Sequence, residues 1–424
     1  MAKHFKHQSA RVGWRRAPGV AGAVVLVTAV AVGLASSNSG SGLEHPVVGP
    51  VANLAAPAAN GQSSAAVQAL MAAVSLNPGG GTDQVSPDTP VAVHTTVGKL
   101  ASVTLTTGAN PPLPGALSAD GRSWQVSQGL AASTPYQLAV ALTGASGAKA
   151  TVTKTFATLA VPTTMSATVK PDDGSTVGVG SPIVVKFNRA VPASNQTSVL
   201  SHLGIAESQP VPGGWHWFSD RELHLRPQSF WPTGEQITVT TNLDGWDAGA
   251  NNWGSGQSTT HIRIGDSHVA VADLSAEKMT VSDNGQVIAT YPISGGSSRY
   301  PTQDGIHLAM DKEPVVHMVS STVGIPAHGP GGYDEYVYND VHISDTGEYV
   351  HDAPWSEGSQ GRSNVSHGCV NLGRNDSKAF YDFSQIGDVI EVVGGTRPPE
   401  PLDHGVMDWT LDWSQWTPAL VTGA

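Results

Sequence analysis

Short runs of alternating apolar and polar residues recur along most of the chain, separated by turn-forming clusters. Between about 85 and 160 they include Ser102-Val103-Thr104-Leu105-Thr106, Trp124-Gln125-Val126, Tyr136-Gln137-Leu138-Ala139-Val140 and Thr151 to Phe156, with breaks such as Gly108-Ala109-Asn110-Pro111-Pro112. A period of two at this spacing predicts half-buried strands of a small β-sandwich. A second such stretch covers about 161–265, with Ile183-Val184-Val185-Lys186-Phe187, Glu222-Leu223-His224-Leu225-Arg226 and Gln236-Ile237-Thr238-Val239-Thr240. The two share no repeat at residue level, so any kinship is architectural. Past 266 the runs Lys278-Met279-Thr280-Val281 and Gln286-Val287-Ile288-Ala289 flank Asp283-Asn284-Gly285, and Asn-Gly favours the type I′ hairpin turn. A loop-rich region from about 295 to 365 follows. A short helix over Asp376 to Phe383 and a strand over Val389 to Val393 then close a third unit, 266–395. The tail 396–424 places Trp409, Trp413 and Trp416 at i, i+4 and i+7, a helical face expected to pack against the rest of the protein. The fold class that follows is mainly β.

Composition refines the ends. Residues 36–84 are mostly Ser, Gly, Ala, Pro and Asn, too poor in large apolar groups to form a core, and read as a flexible linker. Within it, Ala65 to Leu76 is expected to be transiently helical. Residues 1–35 begin with Lys3, Lys6, Arg11, Arg15 and Arg16, followed by an apolar run to Ala35, the layout of an export signal. The run is also long enough to stay as a membrane anchor, and both outcomes stand. Formal net charge is −12; the first 35 residues hold five of 22 basic and none of 34 acidic residues, which leaves −17 beyond them. A chain this acidic, without a basic patch, is a poor partner for nucleic acid.

One cysteine, Cys369, occurs in 424 residues, so an exported chain has no internal disulfide to make. Its surroundings are His351-Asp352-Ala353-Pro354-Trp355, a polar glycine-rich loop, and Ser366-His367-Gly368-Cys369-Val370-Asn371. A thiol nucleophile needs a base, which His351 and His367 both offer, and backbone N–H groups facing a developing oxyanion. Gly368 permits close backbone approach, and its N–H with that of Cys369 is a candidate oxyanion hole. The chemistry indicated is acyl transfer.

This pair of segments resembles the signature of the L,D-transpeptidases of the YkuD type, a histidine, a variable loop, then [ST]-H-G-C-x-N. From about 85 to 420 the layout resembles the mycobacterial kind, with two immunoglobulin-like domains (85–160 and 161–265), a catalytic domain and a tryptophan-bearing tail. The resemblance implies Cys369 as nucleophile and His351 as general base. It implies His367, Gly368 and Ser366 around the oxyanion site, and substrate contacts at Tyr333 (in a lid), Met318, Thr346, Gly347 and Asn371. Relatives often carry serine where this chain has Asp352; that position orients the base through its main-chain carbonyl, which Asp352 also supplies, unless its carboxylate pairs with a histidine instead. The implied reaction needs no metal or cofactor. It takes a tetrapeptide stem of peptidoglycan as donor, releases D-alanine and gives a 3→3 cross-link to the side-chain amine of a second stem. Carbapenem β-lactams are expected inhibitors, and the sandwiches are expected to act as a stalk.

Other readings are weaker. An inert buried cysteine does not account for its neighbours, and a zinc site of His351, His367, Cys369 and His342 lacks the usual ligand spacing. In papain-like hydrolases the cysteine precedes the histidine, whereas His351 comes first here. An L,D-carboxypeptidase, with water as acceptor, would use the same acylation machinery; a non-catalytic wall-binding protein would not need Cys369, His351 and Asn371 together. His307, His317, His328, His342 and His404 read as structural or solvent-facing.

Overall fold

The structure, a computed structural model, describes residues 61–79, 81, 83–249, 252–400, 403–416 and 421–422. The expected leader (1–35) and the linker up to residue 60 lie outside the described residues. Among the described residues no helix is long and apolar enough to cross a membrane.

The first β body pairs a four-stranded sheet, Val74–Asn77, Ala92–Thr95, Ser123–Val126 and Gly115–Leu117, with a three-stranded one, Lys99–Thr106, Pro135–Thr143 and Lys149–Ala157. Alternation sets its inner face: Tyr136, Leu138, Val140 and Leu142 are buried while the residues between them are not. The structure corrects the linker boundary. Gly61–Ala72 is a helix and Val74–Asn77 pairs with Ala92–Thr95, so the segment from 61 onward belongs to this body. Composition alone underrated it because a few well-placed side chains tie it down: Leu70 is 2% exposed within the first core, worth about 1.5–3 kcal/mol, and Val67, Val74 and Leu76 pack against the same core.

The second body stacks Gly213–Ser219, Glu222–Pro227, Ile183–Phe187 and Ala167–Lys170, with Val421–Thr422 on the edge, over Leu203–Glu207, Gln236–Asn242, Gln257–Ile264 and Ser175–Val177. Its core includes Leu308 and Val389 of the third body. Backbone bonds reinforce that seam: Gly178 donates to the Ile386 carbonyl (2.7 Å) and Gly180 to that of Gly387 (2.9 Å).

The third body has a five-stranded sheet, ordered Gln286–Pro292, Lys278–Asp283, His268–Asp273, Val389–Val393 and Gly305–Leu308. In its first hairpin Asn284 and Gly285 both have positive φ, +47° and +79°, as a type I′ turn requires. The second sheet, Asp311–Val319, Asp334–Ser344, Glu348–Asp352 and Val370–Leu372, ends in a parallel pair. Val350, Val370 and Leu372 face the core, which the helix Arg374–Phe383 covers with Phe380.

The tryptophan face is not one helix. Leu411 is extended (ψ 130°) and splits it into Met407–Thr410 and Trp413–Trp416. The three rings instead converge on Arg226 of the second body, whose guanidinium carbon lies 4.7, 5.1 and 4.6 Å from the Trp409, Trp413 and Trp416 centroids. Trp416 is fully buried and donates to the Gly214 carbonyl (2.8 Å). Packing is therefore what these tryptophans do.

Candidate functional site

The parallel strands Glu348–Asp352 and Val370–Leu372 set His351 directly opposite Asn371, with Cys369 one step before the second strand. Residues alternate faces, so Val350, Val370 and Leu372 enter the core while Cys369, Asn371 and His351 turn the other way. There they line a cavity of about 330 Å³, together with Met318, Tyr333, Trp355, Ser366 and His367. Two segments distant in sequence thus put a thiol and an imidazole into one pocket.

His351 is 4% exposed, and its Nδ1 lies 2.9 Å from the Asp352 carbonyl oxygen. A carbonyl only accepts, so Nδ1 carries the proton and Nε2 keeps the lone pair. Burial lowers the imidazole to a pKa of about 4, against which the Asp352 carbonyl works only in part. The Asp352 carboxylate has a different partner: Arg374 Nε is 3.5 Å from Oδ2, while the buried Oδ1 has no hydrogen bond. Of the two roles open to Asp352, the geometry therefore shows the main-chain one and no pairing with a histidine.

Burial pushes the Cys369 thiol up to about 12; a backbone contact at Tyr349 opposes this, while the charges of Glu348 and Asp340 add to it. Sγ lies 4.0 Å from the Gly347 carbonyl, to which the thiol donates. The resting pair is thus neutral thiol and neutral imidazole, not a preformed ion pair. Gly347 accordingly touches the thiol itself. Thr346 sits outside the cavity lining, exposed, bonded to Gln303 Nε2 (2.7 Å) and Ser344 Oγ (2.6 Å).

One expectation fails on geometry. The Gly368 N–H donates to Ser366 Oγ (3.1 Å), and that hydroxyl donates to the Cys369 carbonyl (2.6 Å). A short polar residue two positions before Gly368 competes for its backbone, so this N–H is not free to meet an oxyanion. The Gly368 φ of +128° still requires glycine. Asn371 is 3% exposed; its Nδ2 donates to Ser356 Oγ (3.0 Å), propping the cavity wall. His367 is exposed and sits between Tyr300 (4.7 Å) and Tyr333 (5.2 Å). The Tyr333 loop is pinned by reciprocal bonds, Tyr333 N–H to Ser320 Oγ and Ser320 N–H to the Tyr333 carbonyl, both 3.0 Å.

Sequence reasoning passed over Glu348, which lies under the pocket floor. A Cβ on Gly368 would stand 3.3 Å from Glu348 Oε1. Burial raises its carboxyl to about 7, although Arg397 lies 2.7 Å away. Its position three residues before His351 was visible, but its partner in the tail was not. Ser356 and the exposed Trp355, 6.2 Å from the His351 ring, also went unassigned.

Residues 267–392 match the L,D-transpeptidase catalytic domain family (YkuD), and residues 82–247 match the bacterial Ig domain family. L,D-transpeptidase 2 of Mycobacterium tuberculosis (strain CDC 1551 / Oshkosh) is 36% identical over 332 residues, 78% of this chain and 81% of that protein. L,D-transpeptidase 5 of M. tuberculosis (strain ATCC 25618 / H37Rv) is 29% identical over 81% of this chain and 76% of its own length. A solved LD transpeptidase in complex with imipenem is 36% identical over 54% of this chain and 98% of its own, with a TM-score of 0.47. With the family's catalytic domain spanning the cavity that joins Cys369 to His351, and a bacterial Ig domain ahead of it, the chain belongs to the L,D-transpeptidase family and is a transpeptidase.

Proposed function

We propose that the chain forms 3→3 peptidoglycan cross-links through a thioester on Cys369. The observation that carries this is the shared cavity of Cys369 and His351, with the Nε2 lone pair of His351 fixed by the Asp352 carbonyl. The thiol leaves the Gly347 carbonyl and passes its proton to His351 Nε2 as sulfur attacks the carbonyl carbon of the third residue of a tetrapeptide stem. The C–N bond to D-alanine breaks, and the imidazolium protonates the departing amine. A side-chain amine of a second stem then attacks the thioester; the C–S bond breaks and the thiol regains a proton through His351. Because both groups rest neutral, the proton moves with the attack instead of before it. Tyr333, His367 and Met318 line the same cavity, where they would contact the donor stem.

The basic and apolar start of the chain supports export, with the enzyme working on the wall side of the cytoplasmic membrane. Carbapenem β-lactams, strained acyl donors, fit the same thiol as inhibitors.

Mass spectrometry after incubation with a carbapenem tests the acylation step: a covalent adduct is expected in the wild type and none in Cys369→Ala. An unmodified wild-type chain would sink the mechanism. Incubation with disaccharide-tetrapeptide should give cross-linked dimer; D-alanine release without dimer would instead make the chain an L,D-carboxypeptidase.

A further inference from the structure

Away from the Cys369 cavity, two elements bring metal-binding side chains together at the seam between the second and third bodies. Glu222 and His224 sit two residues apart on the strand Glu222–Pro227, hence on one face, and His404 arrives from the tail. Their donor atoms all lie within 4.8 Å of one another. Glu222 Oε1 is 3.1 Å from His224 Nε2 and 3.7 Å from His404 Nε2.

The far side of each imidazole is already committed. Asp408 Oδ1 lies 2.8 Å from His224 Nδ1, and Asp345 Oδ2 lies 2.6 Å from His404 Nδ1. Carboxylates accept, so each Nδ1 carries a proton, and both Nε2 atoms face the same Glu222 oxygen, His224 Nε2 at hydrogen-bond distance. The surrounding carboxylates hold both imidazoles towards the protonated form, so a metal ion bound there would take the place of the Nε2 protons. A carboxylate on the outer nitrogen of a histidine is the arrangement that orients such ligands towards a metal. Here it occurs on both histidines.

We propose that Glu222, His224 and His404 form a site for a divalent transition metal of the zinc class. Two imidazoles and one carboxylate are a known zinc ligand set, with a fourth position left for water. At metal–ligand distances of about 2.0–2.2 Å the donors of a tetrahedral set stand about 3.4 Å apart, against 3.1 and 3.7 Å for two pairs here and no more than 4.8 Å for any. Phe218 packs against both rings (4.3 Å to His224, 5.0 Å to His404) and sets their planes. A cleft of about 530 Å³ lined by Glu222, His224, Asp345, His404 and Asp408 provides entry. Lys186 Nζ also reaches Glu222 Oε1 (3.0 Å), but its side chain is half exposed and can swing into solvent. The cluster spans the second body, the third body through Asp345, and the tail, so the ion would fasten all three together.

The test uses the full chain carrying Cys369→Ala, which removes the competing thiol. After chelator treatment, loading with zinc chloride and gel filtration, one zinc per chain is expected by elemental mass spectrometry, with a thermal midpoint that rises with free zinc. His404→Gln, at a partly exposed position, should abolish both. Asp345→Asn, which spares the three ligands, should weaken binding by about 10–100-fold. A chain that retains no zinc overturns the proposal, and so does zinc retained equally by wild type, His404→Gln and Asp345→Asn.

Discussion

Replacing Gly368 by alanine probes how rigidly the thiol is placed. At φ +128° the residue occupies a region essentially closed to side chains, and forcing alanine there costs on the order of 1–3 kcal/mol. The new Cβ would stand 3.3 Å from Glu348 Oε1 and 3.4 Å from its Cγ, so something must give by a few tenths of an ångström. Glu348 is poorly able to retreat, held by Arg397 (2.7 Å) and the Gln303 N–H (3.1 Å). The 366–369 backbone therefore moves and carries Sγ with it. A displacement of about 1 Å costs up to about 100-fold in rate, so a smaller one should slow acylation by about 10–100-fold. The assay is the rate of carbapenem adduct formation per folded molecule, beside a thermal melt expected to fall by on the order of 5 °C. Gly256→Ala is the control: φ is +100° there with nothing within 4 Å of the new Cβ, so strain should appear in the melt and not in the rate. Acylation by Gly368→Ala within about twofold of wild type would refute the reasoning.

Asp352→Ser should keep acylation within about threefold of wild type, since the His351 hydrogen bond uses the main-chain carbonyl; a loss of orders of magnitude would give the carboxylate a role. With His351 lowered to about 4, its neutral, base-competent form persists down to that pH. The acid limb of the acylation rate should thus fall near pH 4, and a limb near the ordinary histidine value would contradict the burial argument. Arg226→Met removes the cation shared by Trp409, Trp413 and Trp416 and should cost about 1–3 kcal/mol in denaturant melts while sparing the acylation rate of folded chains; an unchanged melt would show the tail needs no such anchor. Deleting residues 36–160 removes a body with its own core, so acylation by small β-lactams should survive; its collapse would make that body part of the active site.

What the sequence made legible follows from how local each signal is. The strand face of Pro135–Thr143 and the Asn284-Gly285 turn depend on neighbours a few residues away, and they read directly. Cys369 and His351 were legible because one short motif and one upstream histidine bring the chemistry with them. The helix Gly61–Ala72 was legible only as a transient one over Ala65–Leu76, since its stability comes from Leu70, with Val67 beside it, entering a core built by residues up to Phe156. The oxyanion expectation for Gly368 failed at single-atom scale, because residue types do not say which way the Ser366 hydroxyl turns. Glu348 and His404 were missed for a third reason: their partners lie 49 and 180 or more positions away, at Arg397 and at His224 and Glu222.

That last class of contact changes what the tail is. Asp403, 2% exposed, accepts from Ser344 Oγ (2.7 Å) and Gln303 Nε2 (3.1 Å), and Arg397 anchors the Glu348 that underlies Gly368. The same segment continues to Trp409 and Trp416, which donate to Gly180 and Gly214 of the second body. A strand of the second body, the floor of the Cys369 cavity and the tail are therefore linked through buried hydrogen bonds. Breaking one buried partner leaves the other unsatisfied, a cost of about 1–3 kcal/mol, so strain at the seam can reach the thiol through Arg397 and Glu348 without touching substrate. Arg397→Met isolates that path: it leaves every cavity residue in place but strands the Glu348 carboxylate, whose carboxyl should then rise further above about 7. The expected signature is an acylation rate whose pH dependence changes around neutrality more than its plateau does. An identical profile in Arg397→Met would mean that the tail holds the domains together and has no influence on the thiol.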